Sequence, residues 1–398
     1  MQAPSAIQHR EHAMDNLRAL MMWLGIVLHS AINHMTGPQI VPWRDAATTQ
    51  LADVLVVVIH SFRMPVFLII AGYFVALLVE RRGARQMLGH RLRRLALPFV
   101  LFWPVIFVAT ALLVMLYVHR AELGHFGLQP DLVPVLPDAP RIATMHMWFL
   151  YQLSGLALLT FALLWLAPRL PAALRTLTPG LFHWLAERPW GFAVLALPLA
   201  LIGVKYPHAV LVVNGSFVPP LSEWLHHGLF YAFGYCLYQQ RQQLLAGYKR
   251  LAGYYFWGGL LSCLLALLLL DQLVNRGASG FALQLLTAFS YNATTWLWSF
   301  ALIGLALRYL NRQHAVLRYL ADSSYWVYLV HMLGTIGFGA LLYGMPLPAE
   351  LKILLNIIAT TLVGLASYQL LVRNTRIGQL LNGKRIAPAG KAGHLSAG

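Results

Sequence analysis

The chain has 398 residues, of which 59% are hydrophobic and only 11% are charged. Soluble globular domains carry about 25% charged residues, so this composition excludes a soluble protein and indicates a membrane protein. The formal charge of +16 would also fit a nucleic-acid-binding protein, but the Lys and Arg residues cluster between apolar segments. A basic surface that faces anionic lipid explains this pattern better. We therefore expect a lipid bilayer as a partner and no nucleic acid.

Apolar segments of about 20 residues, long enough to cross a bilayer, recur along nearly the whole chain. Breaks at charged or turn-forming stretches predict an all-α, polytopic membrane bundle of about ten transmembrane helices. The chain then divides into an N-terminal cytoplasmic segment (1–13), one transmembrane domain (14–373) and a cytoplasmic, disordered Gly/Ala/Lys-rich tail (374–398). The predicted spans are 14–34, 51–79, 94–118, 147–167, 190–206, 223–240, 252–271, 282–309, 323–343 and 351–373.

Most of the 29 Lys and Arg residues fall in alternate connections between these spans, on one side of the membrane. The positive-inside rule makes that side cytoplasmic and places both termini there. The longest outward connection, 119–146, is Pro-rich and is expected to form an irregular extracytoplasmic loop. Cys236 and Cys263 lie in separate apolar segments, so no disulfide framework is indicated.

The first span carries Arg18 and His29. Eleven residues correspond to about three helical turns, so both side chains lie on one face with about 16 Å between them along the axis. A charged or titratable side chain inside a bilayer is costly unless it has a partner, and such residues are functional candidates. The alternatives are a structural hydrogen bond within the bundle or, for Arg18, a side chain that reaches the interface.

The second span carries His60 and Arg63, which are three residues apart and therefore neighbours on one helical face. Counting about 1.5 Å per residue from each predicted interface places His60 at the depth of His29, and His331 of the ninth span near the depth of Arg63. The sequence thus predicts a polar layer formed by three helices. Helix rotations are not determined by this arithmetic, so a shared site is a hypothesis.

The densest charge run, 80–94, is predicted to form a loop after the second span. It is explained either by topology alone or by a phosphate-binding role for Arg91 and Arg94, which lie three residues apart on one face. The sequence contains no P-loop, dinucleotide-binding fingerprint, zinc motif or nucleophile elbow, which argues against a nucleotide-hydrolysing pump, a dinucleotide enzyme, a metal site and a serine hydrolase.

Aromatic and His residues mark the outward ends of several spans. Most of them are expected to form the usual interfacial belt, while a minority could stack on sugar rings. These residues are Trp43, His146, Trp148, Tyr206, Trp224, His226 and His227.

The spacing Arg18-x10-His29, followed by Arg91-x-x-Arg94 after the second span, resembles the membrane-bound acyltransferase-3 family. Within that family the chain is similar to the glucan biosynthesis protein C branch, the succinyltransferases of osmoregulated periplasmic glucans. The resemblance runs through most of the chain. It rests on DNLRA at 15–19, HSFRM at 60–64, AGYF at 71–74, HMWFL at 146–150, NGSF at 214–217 and YLVH at 328–331.

The resemblance implies a multi-pass enzyme of the bacterial inner membrane that takes an acyl group from a cytoplasmic acyl-CoA to a carbohydrate hydroxyl outside. It implies that His29 is catalytic, that Arg18 completes the catalytic motif, and that Arg91 and Arg94 contact the coenzyme. It further suggests succinyl-CoA as co-substrate, a periplasmic glucan as acceptor and other glucan-synthesis proteins as partners. In the family pattern a second His and a Pro follow the position of His331; this chain has Met332 and Leu333, which leaves the role of His331 open.

The chemistry fits this resemblance. A sugar hydroxyl is a weak nucleophile, and a neutral imidazole within hydrogen-bonding reach can take its proton during attack on a thioester. His29 can do this if burial keeps it neutral; alternatively, His29 itself accepts the acyl group. A succinyl group also leaves a carboxylate in the membrane, and Arg63, beside His60, offers it a bidentate partner.

His331, His146 and Trp148 complete the predicted substrate-binding set with Arg63 and His60. Two other functions remain open at this point. One is O-acetylation of another envelope glycan, such as lipopolysaccharide, by the same machinery. The other is proton-coupled transport, because buried His and Arg residues also mark proton relays.

Overall fold

A computed structural model of the chain describes residues 6–136, 140, 142–169, 171–312 and 314–383. Within these residues the fold is helical throughout, without strands, as the sequence predicts. The helices in chain order are α1 (Ala6–Ile32), α2 (Gln50–Arg82), α3 (Ala84–Arg91), α4 (Leu97–Leu123), α5 (Trp148–Leu166), α6 (Ala172–Glu187), α7 (Gly191–Gly203), α8 (Leu221–Gln239), α9 (Arg241–Val274), α10 (Phe281–Tyr309), α11 (Ala315–Leu342), α12 (Ala349–Ser367) and α13 (Arg376–Asn382).

Every predicted span coincides with a helix, but the number of spans is not confirmed. Among the described residues, six helical segments are long and apolar enough to cross a membrane. A seventh arises if the bent pair of 180–187 and Gly191–Gly203, which meet at 118°, is one span. The predicted spans in α1, α8 and α10 do not meet this criterion. The six segments are Gln50–Arg82, Ala84–Leu123, Met145–Arg169, Arg241–Val274, Ala315–Leu342 and Ala349–Val372.

Helix α10 shows why a helix of this bundle can be short of apolar residues. Every residue from 290 to 301 is buried, and α10 packs against α1, α2, α7 and α9. Its hydroxyl groups donate back to carbonyls one turn earlier, as from Thr294 to Ser290 and from Ser299 to Thr295. Because these polar groups face protein rather than lipid and are satisfied within the helix, hydropathy does not reveal the element.

Helices α2 and α8 cross at close range because each carries a glycine at the contact. A Cβ on Gly72 would overlap the Tyr231 carbonyl, and a Cβ on Gly234 would overlap the Ile69 carbonyl. Small residues let membrane helices approach backbone to backbone. This contact explains the glycine of the AGYF segment, and it fixes the helix that carries His60 and Arg63.

The connection between α1 and α2 is held by a buried ion pair. The Lys352 ammonium, at the start of α12, donates to both carboxylate oxygens of Asp45 at 2.9 and 3.2 Å, and both side chains are almost fully buried. Trp43 Nε1 donates to Asn33 at 2.6 Å in the same connection. The segment after α1 is therefore ordered, which holds the end of the helix that carries His29.

Two expectations about the charged ends need correction. The run 80–94 is not a loop, because α2 continues to Arg82 and α3 leads through a π-helical turn, Leu92–Ala96, into α4. The tail is not wholly irregular either: residues 376–382 form α13, which packs against α11 and the π-helical turn. The remainder of the predicted disordered tail, 384–398, lies outside the described residues.

Candidate active site

Three histidine rings meet where α1, α11 and the start of α5 come together. The ring centroids of His29 and His331 are 5.1 Å apart, and those of His331 and His146 are also 5.1 Å apart. His29 also interacts electrostatically with Arg63 and His60 of α2. The structure therefore brings together the polar layer that the depth argument predicts, and it adds His146, which was predicted to bind substrate but not to belong to this layer.

Arg63 lies directly against the backbone of α1. A Cβ on Gly25, one turn before His29, would overlap Nη1 of Arg63 and would lie 3.4 Å from Nε2 of His331. Nε of Arg63 is buried and makes no hydrogen bond, and no carboxylate of the described residues pairs with the guanidinium. A cation without a counter-ion is costly inside a membrane bundle, so Arg63 is a candidate for binding an anion of a substrate.

Backbone carbonyls set the tautomers of two of the histidines. Nδ1 of His331 lies 2.7 Å from the Tyr328 carbonyl, and Nε2 of His146 lies 3.1 Å from the Leu329 carbonyl. A carbonyl only accepts, so each of these nitrogens carries a proton in the neutral ring. The opposite nitrogens, Nε2 of His331 and Nδ1 of His146, are then lone-pair acceptors, and neither has a protein partner. The layer thus presents two unused bases beside His29.

Tyr328 links two of these elements. Its hydroxyl donates to the His146 carbonyl at 2.8 Å, and its own carbonyl accepts from His331. The sequence analysis included Tyr328 only as part of the YLVH segment. The hydrogen bonds give it a positioning role, because it holds the start of α5 against α11.

A cavity lies next to this layer, between α2, α5, α7, α8 and α10. His60 and Trp148, both predicted to bind substrate, line it. His226, His227 and Asn292 also line it, and the sequence analysis did not select them as site residues. Two of the three are in the run of aromatic and His residues at outward helix ends, which was the available signal; Asn292 had none.

Arg18, Arg91 and Arg94 gather near the middle of α1, about three turns before His29. Arg18 forms an ion pair with Asp15 at 3.2 Å and is 41% exposed, and it interacts electrostatically with Arg91 and Arg94. About 16 Å of α1 separates Arg18 from His29. The structure therefore has a cationic cluster near the middle of α1 and a histidine layer near the C-terminal end of the same helix.

Arg91 and Arg94 do not share one environment. Nη1 of Arg94 donates to the carbonyls of Leu380 and Leu381 at the end of α13, whereas Nε of Arg91 is buried without a hydrogen-bonding partner. The two residues fall at the junction of α3 with the π-helical turn, where the wider turn shifts the helical faces. The expectation of one shared face rested on a regular α-helix and does not hold here.

Comparison with known proteins agrees with these features. The acyltransferase domain family Acyl_transf_3 matches residues 11–371.

The chain belongs to this acyltransferase family.

Similar proteins include glucans biosynthesis protein C of Salmonella typhimurium strain LT2, which is 25% identical over 358 residues, covering 83% of this chain and 84% of the relative. The protein of the same name from Salmonella paratyphi B is 26% identical over 347 residues with the same coverage. No solved structure matches the chain. The family resemblance of the sequence is thus confirmed, and this multi-pass membrane protein is an acyltransferase.

Proposed function

We propose that this protein transfers a succinyl group from a cytoplasmic acyl-CoA to a hydroxyl of a periplasmic glucan. The observation that carries the proposal is the contact of His29 with His331 and the unpaired Arg63, inside a bundle of the acyltransferase family. The name of the Salmonella relatives supports a glucan as acceptor.

The proposed topology has ten spans, with both termini in the cytoplasm of a bacterium and the bundle in the inner membrane. The distribution of Lys and Arg residues supports it. The packing of α10 also supports it, because a helix that is buried in protein need not be apolar to cross a bilayer. In this topology the arginine cluster faces the cytoplasm and the cavity opens toward the periplasm.

The cytoplasmic cluster is the proposed binding site for the coenzyme. Acyl-CoA, with succinyl-CoA as the expected co-substrate, carries several phosphate charges on one end and the thioester on the other. Arg91 offers an unused guanidinium and Arg18 lies beside it; Arg94 contributes charge while its own hydrogen bonds hold α13. Guanidinium groups bind phosphates through charge-assisted hydrogen bonds.

His29 is the proposed catalytic base. The sugar hydroxyl attacks the thioester carbon as His29 takes its proton; the new C–O bond forms, the C–S bond breaks, and the thiolate leaves and regains a proton as free coenzyme A. Nε2 of His331, a lone-pair acceptor in the neutral ring, can receive a proton from His29. Transfer through an acyl-His29 intermediate uses the same contacts.

Arg63 is the proposed recognition element for the donor. Its guanidinium lies at the His29 layer without a protein carboxylate, so the free carboxylate of a succinyl group would complete a pair that the protein leaves open. An acetyl group cannot do this. Donor choice between succinyl and acetyl, and with it the alternative of O-acetylation of another glycan, therefore depends on Arg63.

The test compares Arg63→Gln with wild type, both purified in lipid nanodiscs, using succinyl-CoA and acetyl-CoA with a periplasmic glucan as acceptor. Loss of one charge-assisted contact lowers kcat/KM for succinyl-CoA by about 10- to 100-fold and leaves the slow acetyl transfer nearly unchanged. Arg120→Gln, at the far end of α4, is the matched control. Equal losses with both donors would contradict the donor assignment, and no transfer by wild type with any acyl-CoA would contradict the function.

A further inference from the structure

The cavity next to the histidine layer has a lining without permanent charge. Its walls come from α2, α5, α7, α8, α10 and the segment before α8. The lining residues are apolar and aromatic residues together with His, Asn, Ser and Thr. No Asp, Glu, Lys or Arg is among them, although the chain as a whole is strongly basic. This lining favours a neutral ligand over coenzyme A or a dicarboxylate, because either anion would be desolvated there without a cation.

Flat rings form one wall of the cavity. The rings of Trp148 and His227 are stacked with their centroids 5.1 Å apart and their planes 28° apart. His226 packs edge-on against His227 at 5.2 Å. Aromatic surfaces of this kind supply a large apolar contact area at low cost in conformational entropy.

The same cavity contains hydrogen-bonding groups that the protein does not use. Nδ1 of His227 is buried and has no hydrogen-bonding partner. Nδ1 of His226 and Oδ1 of Asn292 also lack a partner by hydrogen-bond geometry, although these two side chains are close enough to interact with each other. Nδ2 of Asn292 donates to the Ala288 carbonyl at 2.8 Å, and its amide oxygen can only accept. Unsatisfied buried polar groups each cost about 1–3 kcal/mol, and a ligand with hydroxyl groups would satisfy them.

The cavity adjoins the proposed reaction centre on two sides. His60, which lines it, lies one helical turn from Arg63 and interacts electrostatically with both Arg63 and His29. Trp148 follows directly after Met147 and His146, whose ring packs on His331. A ligand in the cavity therefore lies within a few residues of the His29 layer and on the side opposite the arginine cluster.

We propose that this cavity binds one neutral sugar unit of the acceptor, with the ring against Trp148 and His227 and the hydroxyls hydrogen-bonded to Asn292 and His226. A sugar unit has both an apolar face for the rings and hydroxyl groups for the unused atoms, and it carries no charge. This inference rests on the proposed function and deepens it by assigning the acceptor subsite.

The test measures sugar binding without any acyl donor. The full chain in lipid nanodiscs is titrated with a short neutral glucose oligosaccharide and, separately, with the same oligosaccharide carrying a uronic acid. Asn292→Ala and His226→Ala are the variants, and Asn275→Ala and His125→Ala, both on exposed positions, are the matched controls. Trp148→Phe is included because it preserves a ring at a packed position.

Wild type is expected to bind the neutral oligosaccharide and to bind the uronic acid form more weakly. Asn292→Ala and His226→Ala each raise Kd by about tenfold, as expected for one lost hydrogen bond of about 1.4 kcal/mol, while Trp148→Phe has a smaller effect and the controls bind like wild type. Binding of both test variants with wild-type Kd, or stronger binding of the uronic acid form, would overturn the inference.

Acyl transfer is measured on the same preparations, so that the proposed function and the assignment of the cavity as the sugar site are tested separately. If His29→Ala still transfers acyl groups, the proposed function fails whatever the sugar titration shows. If wild type transfers succinyl groups but the Asn292 and His226 variants bind sugar normally, only the assignment of this cavity fails.

Discussion

Gly25 is the residue that lets Arg63 reach the face of α1 that carries His29. We expect Gly25→Ala to fold, because its Cβ would displace only the flexible end of Arg63, and a methyl group in the middle of a helix is otherwise favourable. Displaced Arg63 would lower succinyl transfer by about tenfold relative to acetyl transfer, a change of about 1.4 kcal/mol in the transition state. Competition between the two acyl-CoA donors measures the ratio.

Gly253→Ala is the control for that prediction, because a Cβ there meets no other atom within 4 Å. It is expected to leave the ratio of succinyl to acetyl transfer at the wild-type value. If the Gly25→Ala protein has the wild-type ratio of succinyl to acetyl transfer, Arg63 does not select the acyl donor from its position beside Gly25.

Helical periodicity in the sequence predicted the positions of some individual site residues but not of others. It predicted that Arg18 and His29 share one face. The rise per residue placed His60 at the depth of His29 and His331 near the depth of Arg63, and in the structure these four side chains interact. Periodicity could not identify Gly25, because the need for a glycine at this position comes from Arg63, a side chain of another helix. Periodicity did not identify Asn292 either, because a single Asn in a buried helix usually makes a structural hydrogen bond and does not by itself indicate a binding site.

The π-helical turn between α3 and α4 separates the roles of two arginines that the sequence pairs. Arg91→Gln is expected to raise KM for acyl-CoA by about tenfold or more, because a phosphate loses a guanidinium partner. Arg94→Gln is expected to release α13 and to speed hydrogen exchange in 376–382, with a smaller effect on KM. Steady-state kinetics and hydrogen-exchange mass spectrometry on both variants check this.

Arg93→Gln, on an exposed neighbouring position, is the matched control and is expected to change neither quantity. Equal increases in KM for the Arg91 and Arg94 variants, with no change in exchange at α13, would contradict the division of roles.

The sequence could not have revealed this division, because Leu381 lies 287 residues beyond Arg94 and the tail that contains it has no apolar periodicity. Nor does a sequence pattern distinguish a π-helical turn from an α-helical one. The existence of most helices was easier to predict, because each apolar segment became one. The errors concern the helix ends, the connection 80–94, and helices α6 and α13, which lie outside the predicted spans.

For the whole molecule, the account needs the arginine cluster and the cavity to face opposite sides of the membrane. Gln39→Cys and Arg85→Cys are expected to differ in labelling, since both positions are exposed but lie on opposite sides in the ten-span topology. In a background with Cys236→Ala and Cys263→Ala, a membrane-impermeant maleimide should label position 39 in intact cells and position 85 only after lysis. Labelling of both positions in intact cells would contradict the topology.

Hydropathy alone supports six spans, or seven with the bent pair, whereas charge distribution and segment length favour ten. The difference arises from helices such as α10, whose polar groups face the interior of the bundle. Helices α8 and α10 contribute His226, His227 and Asn292 to the cavity, and α1 contributes His29 to the histidine layer. The other candidate residues lie in α2, in α11 and at the start of α5, which meet the hydropathy criterion.

The most direct test of the central claim is mass spectrometry of periplasmic glucans from cells that lack the endogenous gene and carry either the wild-type chain or His29→Ala. The account predicts succinylated glucans with wild type and a loss of at least about 100-fold in succinyl content with His29→Ala, as expected for removal of a catalytic base, at equal protein levels in the membrane. Succinylation that persists with His29→Ala, or glucans of unchanged mass with wild type, would contradict it.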